Sequence, residues 1–154
     1  GGMRQISGYH KAKLGIIKST QVQTITSSGV YRLGFSNQPG DDAKVLRVPT
    51  TGGLAYFLEA RIPYGTFDNF PLDWYVVNGL LLYLNPENYW LNPTTYFQPP
   101  TQLINAGDPS VTGEVPNDPS PLPVGKDFVD LLRGIRIRML SRDPLGADVE
   151  IDFH

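Results

Sequence analysis

Apolar and polar residues alternate with period two in several short runs, the pattern of strands with one buried face. The clearest runs lie near the end of the chain. Ile135, Ile137 and Met139 alternate with Arg136 and Arg138, and Ala147, Val149, Ile151 and Phe153 alternate with Asp148, Glu150 and Asp152. A turn over residues 141–146 joins them into a predicted hairpin whose Arg and Asp/Glu side chains pair across the strands. Residues 55–61 predict a central strand, with Tyr56, Leu58 and Ala60 on one side and Phe57, Glu59 and Arg61 on the other. Residues 76–84 are nearly all apolar, broken only by Asn78 and Gly79, and predict a strand buried on both faces.

Weaker signals fill the rest. Residues 21–26 and 30–35 flank Ser27-Ser28-Gly29 and predict a hairpin. Residues 44–48 form a short strand ended by Pro49, and residues 102–105 another. Residues 127–132 fit either one turn of helix or a β-bridge. Residues 11–17 fit the end of a short helix stopped by Gly15, with no cap visible before it. Residues 37–42, 64–75, 85–100 and 106–123 read as loops rich in Gly, Pro and Asn. About eight strands at hairpin spacing give an all-β fold with little helix. The expected architecture is a mostly antiparallel β-sandwich over residues 18–154, immunoglobulin-like or jelly-roll-like, preceded by a separate segment over residues 1–17.

Composition narrows the function classes. The 154 residues suit one domain with one sizeable core. No apolar run reaches the ~18 residues of a membrane-spanning helix. Thirteen Lys plus Arg against fifteen Asp plus Glu leave a net charge of −2, which argues against a nucleic-acid surface. The absence of cysteine excludes disulfides, thiolate catalysis and Cys-type zinc sites. No signal peptide opens the chain; Gly1-Gly2-Met3 reads as a cloning remnant or the start of an excised domain.

Candidate chemistry is sparse. His10 and His154 are the two histidines, and nothing resembles the His-Glu-x-x-His helix that sets two imidazoles on one zinc. Glu59 and Arg61 share a strand face. They fit a structural ion pair, or a general acid with its tuning cation; the second role would need another acid, or His10, beside Glu59. Asp41, Asp42, Asp68, Asp73, Asp108, Asp118 and Asp127 lie in or beside loops, where a structural calcium would take its oxygens. They lack the Asp-x-Asp-x-Asp-Gly spacing, so solvated turns are the default expectation. Trp74, Tyr75, Tyr89 and Trp90 sit in loops, with Tyr96 and Phe97 nearby. They fit caps on the core or contacts with a neighbouring domain; in the alternative they stack sugars, as in a carbohydrate-binding module.

Several segments, read in order, resemble a known family. They are His10-Lys11-Ala12-Lys13-Leu14-Gly15-Ile16-Ile17, Gly29-Val30-Tyr31-Arg32-Leu33, and Tyr56-Phe57-Leu58-Glu59-Ala60-Arg61 with Gly65 and Asp68. Asn78-Gly79-Leu80-Leu81-Leu82-Tyr83 and Leu122-Pro123-Val124-Gly125-Lys126-Asp127-Phe128 follow, then Gly134-Ile135-Arg136-Ile137-Arg138 and the closing run from Ala147 to Phe153. Together they are similar to the non-catalytic β-sandwich that follows the catalytic domain in gametolysin-like and immune-inhibitor-A-like secreted zinc metallopeptidases. Ile16 and Ile17 stand where that family has tryptophan. The resemblance implies a non-catalytic accessory domain of a secreted or cell-surface protein, with no catalytic residue, metal or cofactor of its own. Its implied partners are an upstream peptidase domain, met through residues 1–17, and a polymeric substrate. An apolar patch near Met3, Ile6, Tyr9 and Leu14 would then be exposed.

Overall fold

A computed structural model describes residues 7–65, 79–86, 102–104, 106 and 121–154. They form an all-β fold of two facing, largely antiparallel sheets and one short helix. The helix α1 (Gly8–Lys13) and a 3-10 turn (Ser19–Gln21) precede β1 (Val22–Thr24), β2 (Gly29–Gly34), β3 (Val45–Pro49) and β4 (Leu54–Ala60). Then come β5 (Gly79–Pro86), β6 (Gln102–Leu103), β7 (Leu122–Pro123), β8 (Asp127–Asp130), β9 (Ile135–Asp143) and β10 (Gly146–Phe153). The described residues hold ten strands, several of two to four residues, where hairpin spacing gave about eight. The first sheet runs β1-β3-β4-β5-β6, with β7 also paired to β5; the second runs β2-β10-β9-β8.

The core lies between the sheets. Leu46, Val48, Tyr56, Leu58, Ala60, Leu80 and Leu82 of the first sheet meet Leu33, Ile135, Ile137, Met139, Ala147, Val149 and Ile151 of the second. As the period-two pattern predicts, Tyr56, Leu58 and Ala60 face this core. Phe57 turns to the opposite side, where it joins Tyr9, Ile17, Val45, Ala55, Leu81 and Tyr83 in a second apolar cluster. The first sheet is therefore buried on both faces. Its β5 shows the expected double burial, beginning at Gly79; residues 76–78 lie outside the described residues. The second sheet keeps a wet outer face. Arg136 pairs with Asp152 and Glu150, Arg138 with Asp127, and Arg32 with Asp143 and Asp148. Such exposed pairs contribute from a few tenths to ~1 kcal/mol each. The layers are also tied at one end, where the Tyr56 hydroxyl donates to Asp130 Oδ2 at 2.6 Å and Arg133 Nη1 donates to the same oxygen at 2.9 Å. Burial first, and then the hydrogen bond to Asp130 and its charge, push the Tyr56 hydroxyl well above the usual tyrosine pKa.

Three expectations change, and one open choice is settled. Residues 21–35 are not a hairpin: β1 runs parallel to β3, pairing Val22 with Val45, while β2 pairs with β10 in the other sheet. Ile25, only 1% exposed, drops into the core as the chain crosses between layers, and its amide bonds Arg47 O at 2.8 Å. Residues 127–130 are a strand, β8, against β9 rather than a helical turn. β9 continues through Asp143, well into the stretch read as a turn. A register shift opposite Asp148/Val149 breaks the alternation there. The helix is capped after all: Ser7 Oγ accepts from the His10 amide.

Gly146 opens β10 where a Cβ would stand 2.3 Å from the Leu33 carbonyl oxygen of β2. Backbone cannot move aside as a flexible side chain does. Gly146→Ala is expected to cost about 1–3 kcal/mol, read as a lower urea midpoint at unchanged m-value.

Candidate functional site

The outer face of the first sheet carries the chemistry. Glu59, on β4 between Phe57 and Arg61, points there and is 1% exposed. Its Oε2 accepts the Ser36 hydroxyl at 2.7 Å and the Gly8 amide at 3.0 Å, and its Oε1 lies 3.2 Å from Arg61 Nη2. Gly8 is required at the first position of α1. A Cβ there would sit 2.8 Å from Glu59 Oε2 and 2.9 Å from Val45 Cγ2. The helix start thus rests on the carboxylate, its amide satisfied by a buried charge. Burial alone would raise the Glu59 pKa. That is the largest single effect, but the Arg61 charge and the hydrogen bonds from Ser36, Gly8 and the Tyr83 hydroxyl together outweigh it, so the carboxyl titrates below its ordinary value.

From there the chain builds a pocket. Helix α1 ends at Lys13 with Leu14 as its cap, and Gly15, at φ 74°, turns the chain back. Ile17 then returns to the apolar face, and Lys18 and Gln21 open the 3-10 turn, with Gln21 Oε1 accepting the Lys18 amide at 3.0 Å. Across from it runs the loop between β2 and β3. Ser36 is pinned to Ala60 O at 2.9 Å, and the Asn37 amide clasps the Ile62 backbone in both directions, at 2.6 and 3.2 Å. Asp42 lies over Gly34, where a Cβ would come within 1.5 Å of its carboxylate, and holds Lys44 Nζ at 2.7 Å. Gln21 Nε2 bonds Gly40 O at 2.6 Å, closing the loop onto the turn. A cavity of about 360 Å³ remains between them, walled by Lys11, Gln21, Ser36, Asn37 and Lys44 with Lys18 at its side. Those first five are all buried, as against Glu59, Arg61 and Asn85 elsewhere among the described residues. Most of the buried polar side chains of the described chain therefore converge on one place.

The sequence candidates fall as follows. Glu59 and Arg61 form the buried pair described above. His10 lies at the same helix start, with its Nδ1 2.8 Å from Ser7 Oγ. Burial first, and then Lys13, lower the His10 pKa, with Glu59 opposing. His154 is exposed at the chain end, its amide on Gly134 O. Among the loop aspartates, Asp42 pairs with Lys44, Asp127 with Arg138, and Asp41 lies 3.7 Å from Lys18. Among the described residues no three His, Asp or Glu side chains gather as metal ligands. Asp68, Asp73, Asp108 and Asp118 lie outside the described residues, as do Trp74, Tyr75, Tyr89 and Trp90.

The expected exposed patch on residues 1–17 is corrected at Tyr9. Its ring is 1% exposed and meets Phe57 edge-on, with centroids 4.8 Å apart. The reason is the open outer face of the first sheet, which this segment covers. Leu14 and Ile16 are exposed, at 64% and 65%. Met3 and Ile6 lie outside the described residues. The cavity walls were missed in the sequence because single Lys, Gln, Ser and Asn residues beside a Pro-Gly loop carry no periodic or motif signal.

Removing one partner of a buried ion pair strands the other, so Glu59→Ala is expected to cost about 3–5 kcal/mol in chemical unfolding. The pH dependence follows from the lowered carboxyl. Its contribution is complete above the ordinary value of 4.5 and is lost as pH falls through the lower folded value. The stability gap between the parent and Glu59→Gln should therefore narrow as the pH is taken below that value. A gap that stays constant through the acid limb would show that the charge of Glu59 does not stabilise the fold.

Comparison of the chain with protein-family models, curated proteins and solved structures finds no match, so the site is read from its own geometry.

Proposed function

We propose that this chain is a non-catalytic accessory β-sandwich domain of a secreted metallopeptidase-like protein, packing beside the peptidase domain and helping to position a polymeric substrate. One observation carries the reading: the carboxylate best placed for chemistry is fully enclosed. Glu59 gives its oxygens to Gly8, Ser36 and Arg61, and a general acid or base needs an oxygen within reach of substrate. The segments that resemble the metallopeptidase-associated sandwich fall largely on strands of the two sheets, among them β2, β4, β5, β9 and β10. The first segment is amphipathic in a useful way. Tyr9 and Ile17 anchor it to this domain while Leu14 and Ile16 stay exposed at its turn, available to a neighbouring domain.

The test has two parts. The isolated chain should not hydrolyse casein. In the protein encoded by the reading frame that includes the upstream region, the amides of residues 14–17 should exchange with deuterium more slowly than in the isolated chain. Leu14→Ser with Ile16→Ser should abolish that protection without unfolding the sandwich. An upstream region without a zinc-peptidase motif, or casein hydrolysis that disappears in Glu59→Gln, would overturn the reading.

A further inference from the structure

The cavity between α1, the 3-10 turn and the loop from β2 to β3 is walled by buried side chains whose hydrogen bonds are not all used. Gln21 Nε2 has two N–H groups and gives one to Gly40 O at 2.6 Å. The amide cannot be turned over, because its Oε1 accepts the Lys18 amide at 3.0 Å. Asn37 Nδ2 also has two and gives one to Ile62 O, while its Oδ1 is held by the Ile62 amide. Lys44 Nζ has three, against Asp42 Oδ1 at 2.7 Å and Pro39 O at 3.4 Å. Each of these groups keeps one donor with no acceptor among the described residues. All three side chains are more than nine-tenths buried, and all three line this cavity.

Acceptors stand among these donors. Ser36 Oγ gives its proton to Glu59 and keeps its lone pairs. Gln21 Oε1 and Gly40 O have each taken one donor of the two that a carbonyl oxygen can accept. Charge favours no ion: Lys44 is paired with Asp42, Lys18 with Asp41, and Lys11 too has its partner. An ion entering here would have to part an existing pair before forming its own. A hydroxyl group carries no charge and both donates and accepts, so a ring of hydroxyls answers both kinds of wall atom. The space of about 360 Å³ lies at the small end of ligand pockets.

We propose that this cavity binds an uncharged sugar ring. The sugar oxygens accept from Lys44, Gln21 and Asn37, and its hydroxyl protons go to Ser36 Oγ, Gln21 Oε1 and Gly40 O. The Ile17 and Pro39 side chains meet its C–H groups. The inference needs only the described walls of the cavity. It stands whether or not a peptidase domain precedes this chain, and it adds a ligand to a domain otherwise read as a support.

The experiment is nuclear magnetic resonance titration of the ¹⁵N-labelled chain. The probes are glucose, galactose, mannose and N-acetylglucosamine, with glycerol and glucuronate as comparisons. At least one neutral sugar should shift the amides of residues 17–21 and 36–44 saturably, with an affinity indifferent to added salt. Glycerol and glucuronate should bind more weakly than that sugar. Gln21→Met and Lys44→Met keep the stems and remove the donors; each should weaken binding by about tenfold. Lys126→Gln, outside the cavity wall, should have no effect. Nuclear Overhauser contacts from the sugar ring protons to the Ile17 methyls locate the ligand in the parent chain, so the outcome does not rest on the variants folding. A cavity that holds only water would give no saturable shift with any of the four sugars, and that result would overturn the proposal. So would glycerol or glucuronate binding as tightly as the best sugar, unchanged affinity in both folded variants, or a bound sugar without contacts to Ile17.

Discussion

A carboxylate buried on the outer face of a β-sheet organises this protein. Glu59 sits one residue from the end of β4, the central strand of the first sheet, where an apolar side chain would be the ordinary choice. A charge there is tolerated only when its surroundings supply as much stabilisation as water did. Three separate parts of the chain do so. Arg61 follows directly after the same strand, Ser36 comes from the loop after β2, and the Gly8 amide from the start of α1. Because those groups lie far apart in sequence, meeting the demand of one carboxylate fixes the position of a helix and a loop together.

The consequence is a sheet covered on both sides by different means. Between the sheets, apolar residues of the two layers pack against each other in the manner of a sandwich. On the far side the cover is thin: one turn and a half of helix, held by Tyr9 and Ile17 on Phe57, Leu81 and Tyr83. A thin cover over a buried charge leaves space at its edge, and the polar cavity occupies that space. The second sheet shows the opposite arrangement, with its outer face given to Arg and Asp/Glu pairs open to solvent. The two outer faces are therefore unequal in kind. One is a salt-screened polar surface and the other a built, partly enclosed region with donors to spare.

Placing a pocket on loops beside a rigid sheet separates stability from recognition. The walls of the cavity come from the 3-10 turn, the end of α1 and the loop before β3; backbone hydrogen bonds tie Lys44 to Gln21 of the turn, Ala43 of the loop to Gly34 of β2, and Ser36 to Ala60 of β4. The core residues between the two sheets have no part in lining it. A domain of this design can present a preformed polar site without any change in the core between its sheets.

Alternation was enough to find the strands whose one face is apolar. Ile135 to Met139 and Ala147 to Phe153 declare themselves, as do the two sides of β4, because side-chain direction in a strand is a local property with a fixed period. The apolar run at β5 announced burial on both faces for the same reason. Nothing local, however, says which strand lies beside which. Residues 22–24 and 29–34 look like neighbours across a turn, yet pairing with residues 45–47 and 146–151 places them in opposite layers. Nor does the order of residues say that Tyr9 lies against Phe57, or that Lys11, Gln21, Asn37 and Lys44 share a cavity. Those facts depend on contacts between distant segments, and on how much surface the short helix could cover. The chain alone determined which residues would be extended and which faces would avoid water; only the folded arrangement decided what they would meet.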